Sequence, residues 1–129
     1  MSPNFEIVKA HYAASDRKDI AGMMAHVSPT VEWTEMAGFP CAGTWVGPQA
    51  VIENVFMALG AAWENFGFAL ESLIDGNEAI VGIGSYSGTF RATGKPMQAR
   101  VVHVWRLEGG QVVKFEQFTD TLLVANAMR

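Results

Sequence analysis

Along residues 3 to 14 the apolar side chains Phe5, Val8 and Tyr12 fall on one helical face, and Ser2-Pro3 supplies a cap and a first-turn proline. A first helix is predicted there. Asp16 and Asp19 stand where acidic residues favour a helix start. Ile20, Met23, Met24 and Val27 then continue an apolar stripe until Pro29 stops it, which completes a helical hairpin. "TVEWTEM" (30–36) reads as a short strand, and the glycine-bearing "AGFPCAGTWVG" that follows reads as a loop. A third helix is predicted from Pro48, with Val51, Ile52, Val55, Phe56 and Leu59 inward and Gly60 as its stop.

From Phe66 the period changes from helical to alternating. Phe66, Phe68 and Leu70 share a face, "DGN" at 75–77 marks a turn, and three long strands follow at about 78–90, 96–107 and 111–119. "RATGKP" and "EGG" join them, and "TLLVANAM" ends the chain as a short helix. Helices first and an antiparallel meander afterwards, without βαβ alternation, predict one α+β domain over 1–129, its helices on one side of a curved sheet.

Strand parity selects the candidate site. In 97–107 the odd positions are Met97, Ala99, Val101, His103, Trp105 and Leu107, so one histidine interrupts an apolar face. In the last strand Phe115 and Gln117 share the inward parity, whereas Asp120 has the opposite one. A three-residue "EGG" loop would pair Leu107 with Gln111, His103 with Phe115 and Val101 with Gln117, which makes His103 and Gln117 diagonal neighbours. A histidine on such a face is either a satisfied core residue or a catalyst. Two inward polar groups favour a lined pocket. Asp120, between Thr119 and Thr121 where the terminal helix starts, reads first as a cap and second as a base. Gly82, Gly84 and Gly88 lie on one face with Tyr86 and leave room for a ligand or a closely packed helix.

Composition removes other classes. A formal net charge of −4 with Lys and Arg scattered singly leaves no basic stripe for nucleic acid. No apolar run approaches the roughly 18 residues of a membrane span, and the N-terminus lacks signal-peptide order, so a soluble, cytoplasmic protein is expected. Cys41 is the only cysteine, and His11, His26 and His103 are scattered, so no metal and no other cofactor is expected.

The stretches "YAASDRKDIAGMMAHVSPTVEW" (12–33), "GTWVGPQAVIENVF" (43–56), "TGK" (93–95) and "VHVWRLEGGQVVKFEQFTDT" (102–121) resemble the SnoaL-like group of the nuclear transport factor 2-like superfamily, over nearly the whole chain. That superfamily includes ketosteroid isomerases, limonene epoxide hydrolases and polyketide cyclases. The resemblance implies a cone of three N-terminal helices on a strongly curved, mixed or antiparallel sheet, a deep apolar pocket and a homodimer. It places Tyr12 where ketosteroid isomerases carry their oxyanion-binding tyrosine, but Trp33 and His103 where they carry aspartates. Gly84 and Tyr86 fall on the Arg and Asp of limonene epoxide hydrolases. Gln117 falls on a catalytic aspartate of both those hydrolases and the polyketide cyclases, which share His103.

Two functional readings follow. In one, a cofactor-independent isomerase- or cyclase-type enzyme transfers a proton on a small hydrophobic carbonyl compound. His103 would be its acid or base, Gln117 and Tyr12 would orient the oxyanion, Asp120 would be in reserve, and Trp33, Tyr86, Val101, Trp105 and Phe115 would form the walls. In the other, the same pocket binds a small hydrophobic molecule without chemistry. A third and weaker reading gives the sheet's outer face an assembly role alone.

Overall fold

The computed structural model describes residues 1–129. Helix α1 (Pro3–Asp16) begins at Ser2, whose hydroxyl accepts from the Phe5 N–H. Ser2 also donates through its backbone N–H and its hydroxyl to Asp75, which ties the helix start to a β-hairpin; these bonds hold the Asp75 carboxyl below its usual range. Helix α2 is a single turn, Ile20–Met23, capped by Asp19. It is shorter than its apolar stripe suggested, because Val27 already opens strand β1 (Val27–Glu35). Pro29 lies inside that strand, where the pairing with the last strand shifts between Val27 and Glu32, so its missing N–H breaks no regular ladder.

The expected loop contains a short edge strand, β2 (Gly43–Val46), which pairs antiparallel to β1 with Trp45 opposite Trp33. The β-prone Thr44-Trp45-Val46 explains why that glycine-flanked stretch pairs. A helical segment then runs as α3 (Pro48–Val51), a π-helical stretch (Ile52–Met57) and α4 (Ala58–Ala62). It passes through Gly60, which is exposed and spatially unconstrained and so does not end it.

Strands β3 (Trp63–Gly76), β4 (Ala79–Phe90), β5 (Lys95–Glu108) and β6 (Gln111–Thr119) form the antiparallel meander, and α5 (Thr121–Ala127) closes the chain. The sheet is six-stranded and open, ordered β2-β1-β6-β5-β4-β3, with β1 and β6 parallel. Irregularities interrupt the pairing of β3 with β4 and of β5 with β6, and bulges of this kind bend a sheet. The result is the cone-type α+β architecture that the resemblance implied.

The β5–β6 register differs from the one expected. The turn is Gly109-Gly110, both at positive φ, so Glu108 pairs with Gln111, and a bulge after Arg106 then brings His103 opposite Gln117 and Trp105 opposite Phe115. The displacement is two residues, which preserves the inward set while turning a diagonal His103–Gln117 pair into a direct one.

Of the two uses expected of the β4 glycines, close packing is the one found. A Cβ on Gly82 would lie 2.3 Å from the Tyr12 hydroxyl, and one on Gly84 would lie 2.2 Å from the Ala69 carbonyl and 2.7 Å from the Phe68 ring. The space they free is occupied by α1 and β3 side chains rather than left for a ligand. No helix is long and apolar enough to cross a membrane.

Candidate functional site

Between the inner face of the sheet and the covering helices lies a cavity of about 380 Å³. Its apolar walls are largely aromatic: Trp33, Phe56, Trp63, Phe66, Phe68 and Phe115. Trp33 stacks on Phe115 with ring centroids 3.9 Å apart, and Phe68 stacks on His103 at 4.6 Å. Lys18, Glu64 and Arg91 line its exposed rim.

A chain of hydrogen bonds lies against one side. The Trp105 indole N–H donates to the Tyr12 hydroxyl (2.9 Å), which contacts His103 Nδ1 (2.8 Å). On the other side of the ring, Nε2 contacts the Tyr86 hydroxyl (2.8 Å), which accepts from the Gln117 amide (3.0 Å). The Met36 N–H donates to Gln117 Oε1 (3.3 Å) and thereby fixes which end of the amide faces Tyr86. Residues from α1, β4, β5 and β6 therefore converge on one imidazole, and every polar group of the chain is buried.

Burial decides the protonation states. It lowers His103 to about 3, with the neighbouring His11 adding to the effect, so the ring is neutral across the physiological range. The role of acid–base group near neutral pH does not suit it. Burial likewise raises both phenols well above their ordinary value and lowers His11 to about 4, the Met23 carbonyl opposing the latter only in part. Because that carbonyl can only accept from His11 Nδ1 (3.0 Å), the His11 proton sits on Nδ1.

The group sequence reasoning passed over is Glu35. It ends β1, is 4% exposed, lines the cavity, and its Oε2 has no hydrogen-bond partner. Burial pushes the carboxyl up to about 8, offset slightly by the Trp33 indole. The Trp33 indole N–H exerts that influence without hydrogen-bonding geometry, and both it and the Trp63 N–H are buried without partners. The signal was present in the sequence: Val31, Trp33 and Glu35 share one parity.

Of the residues expected at the site, Tyr12, Trp33, Tyr86, His103 and Phe115 line the cavity. Gln117 stands behind Tyr86 and reaches the cavity only through it. Trp105 lies beneath His11 and Tyr12, with ring centroids 4.4 and 5.7 Å away, and Val101 is packed farther along β5, so neither is a wall. Asp120 is the cap that its position first suggested, its side chain accepting from the Leu123 N–H (3.2 Å) at the start of α5; exposed and outside the cavity, it does not take the reserve role of a base. Cys41 is buried, and burial together with the charge of Glu35 raises its thiol far above reactivity.

An open, bulged six-stranded sheet that encloses an aromatic cavity against its helices defines the nuclear transport factor 2-like class. Comparison with known proteins narrows it: the SnoaL-like domain profile matches residues 8–115, and the chain belongs to the SnoaL-like family. A nuclear transport factor 2-like protein from Burkholderia thailandensis is 54% identical with a TM-score of 0.97, the match covering 100% of this chain and 98% of that one. Another, of unknown function, from Burkholderia pseudomallei is 31% identical with a TM-score of 0.90 over 98% of both chains. TerC, co-crystallised with polyporic acid, is 25% identical with a TM-score of 0.88 over 98% of both. No curated protein matches the chain at a significant level.

Proposed function

We propose that the chain is a cofactor-independent enzyme of the isomerase or cyclase type that moves a proton on a small hydrophobic carbonyl compound. The observation that carries this reading is Glu35, a buried carboxyl with an unpartnered oxygen in the same aromatic cavity as a buried phenol–imidazole chain. A carboxyl at about 8 exchanges protons near neutral pH, which is what a general base for a weak carbon acid requires. In the step envisaged, ionised Glu35 takes a proton from the carbon beside the carbonyl. The C–H pair becomes a C=C bond, and the carbonyl π pair moves onto oxygen, where a tyrosine hydroxyl donates a hydrogen bond. Return of the proton to oxygen or to a different carbon completes the reaction without a co-reactant. The likeness to TerC adds that a protein of closely similar fold was co-crystallised with polyporic acid.

The test is proton exchange in D2O, followed by NMR, on a panel of enolisable aryl ketones. Wild type is expected to exchange the α-proton faster than buffer, and Glu35→Gln to lose about 100-fold or more of that rate. A wild-type rate equal to buffer across the panel, with a compound demonstrably bound, establishes the other reading: a binder of a small hydrophobic molecule. One observation favours that alternative, namely that both nitrogens of His103 are already engaged by protein groups.

The proposal extends to a homodimer. Val102, Val104 and Phe118 share the outer face of β5 and β6, with Phe118 46% exposed. Sedimentation at micromolar concentration should give twice the 14.0 kDa chain mass; a monomer removes the dimer.

A further inference from the structure

The Tyr12–His103–Tyr86 chain has one hydrogen too many for its own contacts. A neutral imidazole carries one N–H, and each phenol carries one O–H. The two contacts to the ring consume two of these three hydrogens. If the ring proton is on Nε2, Tyr12 donates to Nδ1, Nε2–H donates to Tyr86, and the Tyr86 hydrogen is left over. If it is on Nδ1, Tyr86 donates to Nε2, Nδ1–H donates to Tyr12, and the Tyr12 hydrogen is left over. Neither phenol has a further acceptor, since its remaining partner, Trp105 or Gln117, is itself a donor. A buried O–H without an acceptor is costly, so the network is built one acceptor short.

The surroundings of the two phenols differ. The Tyr12 hydroxyl is enclosed by Trp105, His103 and the backbone at Gly82, where even a methyl group would come within 2.3 Å. A hydrogen left over there would find no acceptor among these groups. Tyr86 shares the cavity with Glu35, whose charge is among the causes that raise the phenol, and no protein hydrogen bond joins the two. A bound molecule can supply the missing acceptor between them.

We propose that His103 is held as the Nε2–H tautomer, so that Tyr86, and not Tyr12, is the hydroxyl that donates to a ligand oxygen. Resting on the proton-transfer reading above, this names the ligand: a carbonyl, enolate or phenolate oxygen at Tyr86, flanked by an acidic C–H or O–H that reaches Glu35. His103, Tyr12, Trp105 and Gln117 are then positioning residues that aim one hydrogen. The tyrosine that family resemblance would choose for the oxyanion is instead a donor to the ring.

The test is 15N NMR of histidine-labelled protein at pH 7. The chain has three histidines, and the His11→Gln and His26→Gln variants assign the third ring by elimination without replacing His103 itself. The expected spectrum has His103 Nε2 protonated and Nδ1 bare, in contrast to His11, whose proton sits on Nδ1. A protonated Nδ1 on His103, alone or with Nε2, overturns the proposal. A second readout is the exchange assay, in which Tyr86→Phe should lower kcat at least tenfold and more than Tyr12→Phe does; the reverse order overturns it. Absence of exchange in wild type refutes the proton-transfer reading, and the tautomer then decides the hydrogen-bond assignment by itself.

Discussion

Replacing Glu35 by Gln should stabilise the protein at alkaline pH and do little at acid pH. The carboxyl is raised from 4.5 to about 8 by burial, and its neutral form is nearly isosteric with the amide. Because the folded value is above the unfolded one, the stabilisation is complete below pH 4.5 and is lost as pH climbs to about 8. The shift corresponds to at most about 5 kcal/mol between those limits, since each pKa unit is worth about 1.4 kcal/mol. Even half of that would move the Tm of a chain this size by roughly 8 °C. The assay is thermal unfolding of both proteins at pH 5 and pH 9. Wild type should lose stability between the two relative to Glu35→Gln, and any constant cost of the new amide cancels in that difference. Parallel pH profiles would mean that an ionised carboxylate is as comfortable in the cavity as in water, contrary to its burial.

Acid should act through the histidines: His103 and His11 fall from 6.5 to about 3 and about 4, so their contribution is present above pH 6.5 and lost below it. Unfolding free energy should therefore drop between pH 6.5 and 4 in urea titrations, and a flat profile there contradicts the assigned burial. Gly82→Ala must push the Tyr12 hydroxyl from its site, at a cost of about 1–3 kcal/mol measured by denaturation. An unchanged midpoint would show that α1 yields freely. Asp120→Ala should cost about 1 kcal/mol through loss of the α5 cap while leaving ligand affinity within a factor of two; a large loss of affinity would return Asp120 to the site.

Alternation made the sheet readable. The three long strands appear nearly where the period-two pattern put them, and parity alone placed His103, Tyr86 and Phe115 inward. Register was not readable, because a bulge leaves no mark on alternation and a Gly-Gly turn can close as two residues or be counted with Glu108 as three. An even displacement did no harm to the inward set. The length of α2 was misjudged for a related reason: Ile20, Met23, Met24 and Val27 fit a helical stripe, yet a one-turn helix followed by a strand buries Val27 equally well. Within the site, Glu35 was overlooked because a charged residue at the end of a short strand ordinarily meets water. Its burial depends on elements distant in sequence that close the cavity around it. The same dependence explains the β4 glycines, whose freed space is taken by Tyr12 and Phe68 from elsewhere in the chain.

The most direct measurement is the titration of the Glu35 side-chain carboxyl in the wild-type protein. It can be followed by 13C NMR with glutamate labelled at Cδ and assigned by the signal missing in Glu35→Gln. The midpoint should fall near 8. A midpoint near 4.5 would mean a solvated or paired carboxylate and would remove the proton carrier on which the proposed chemistry rests.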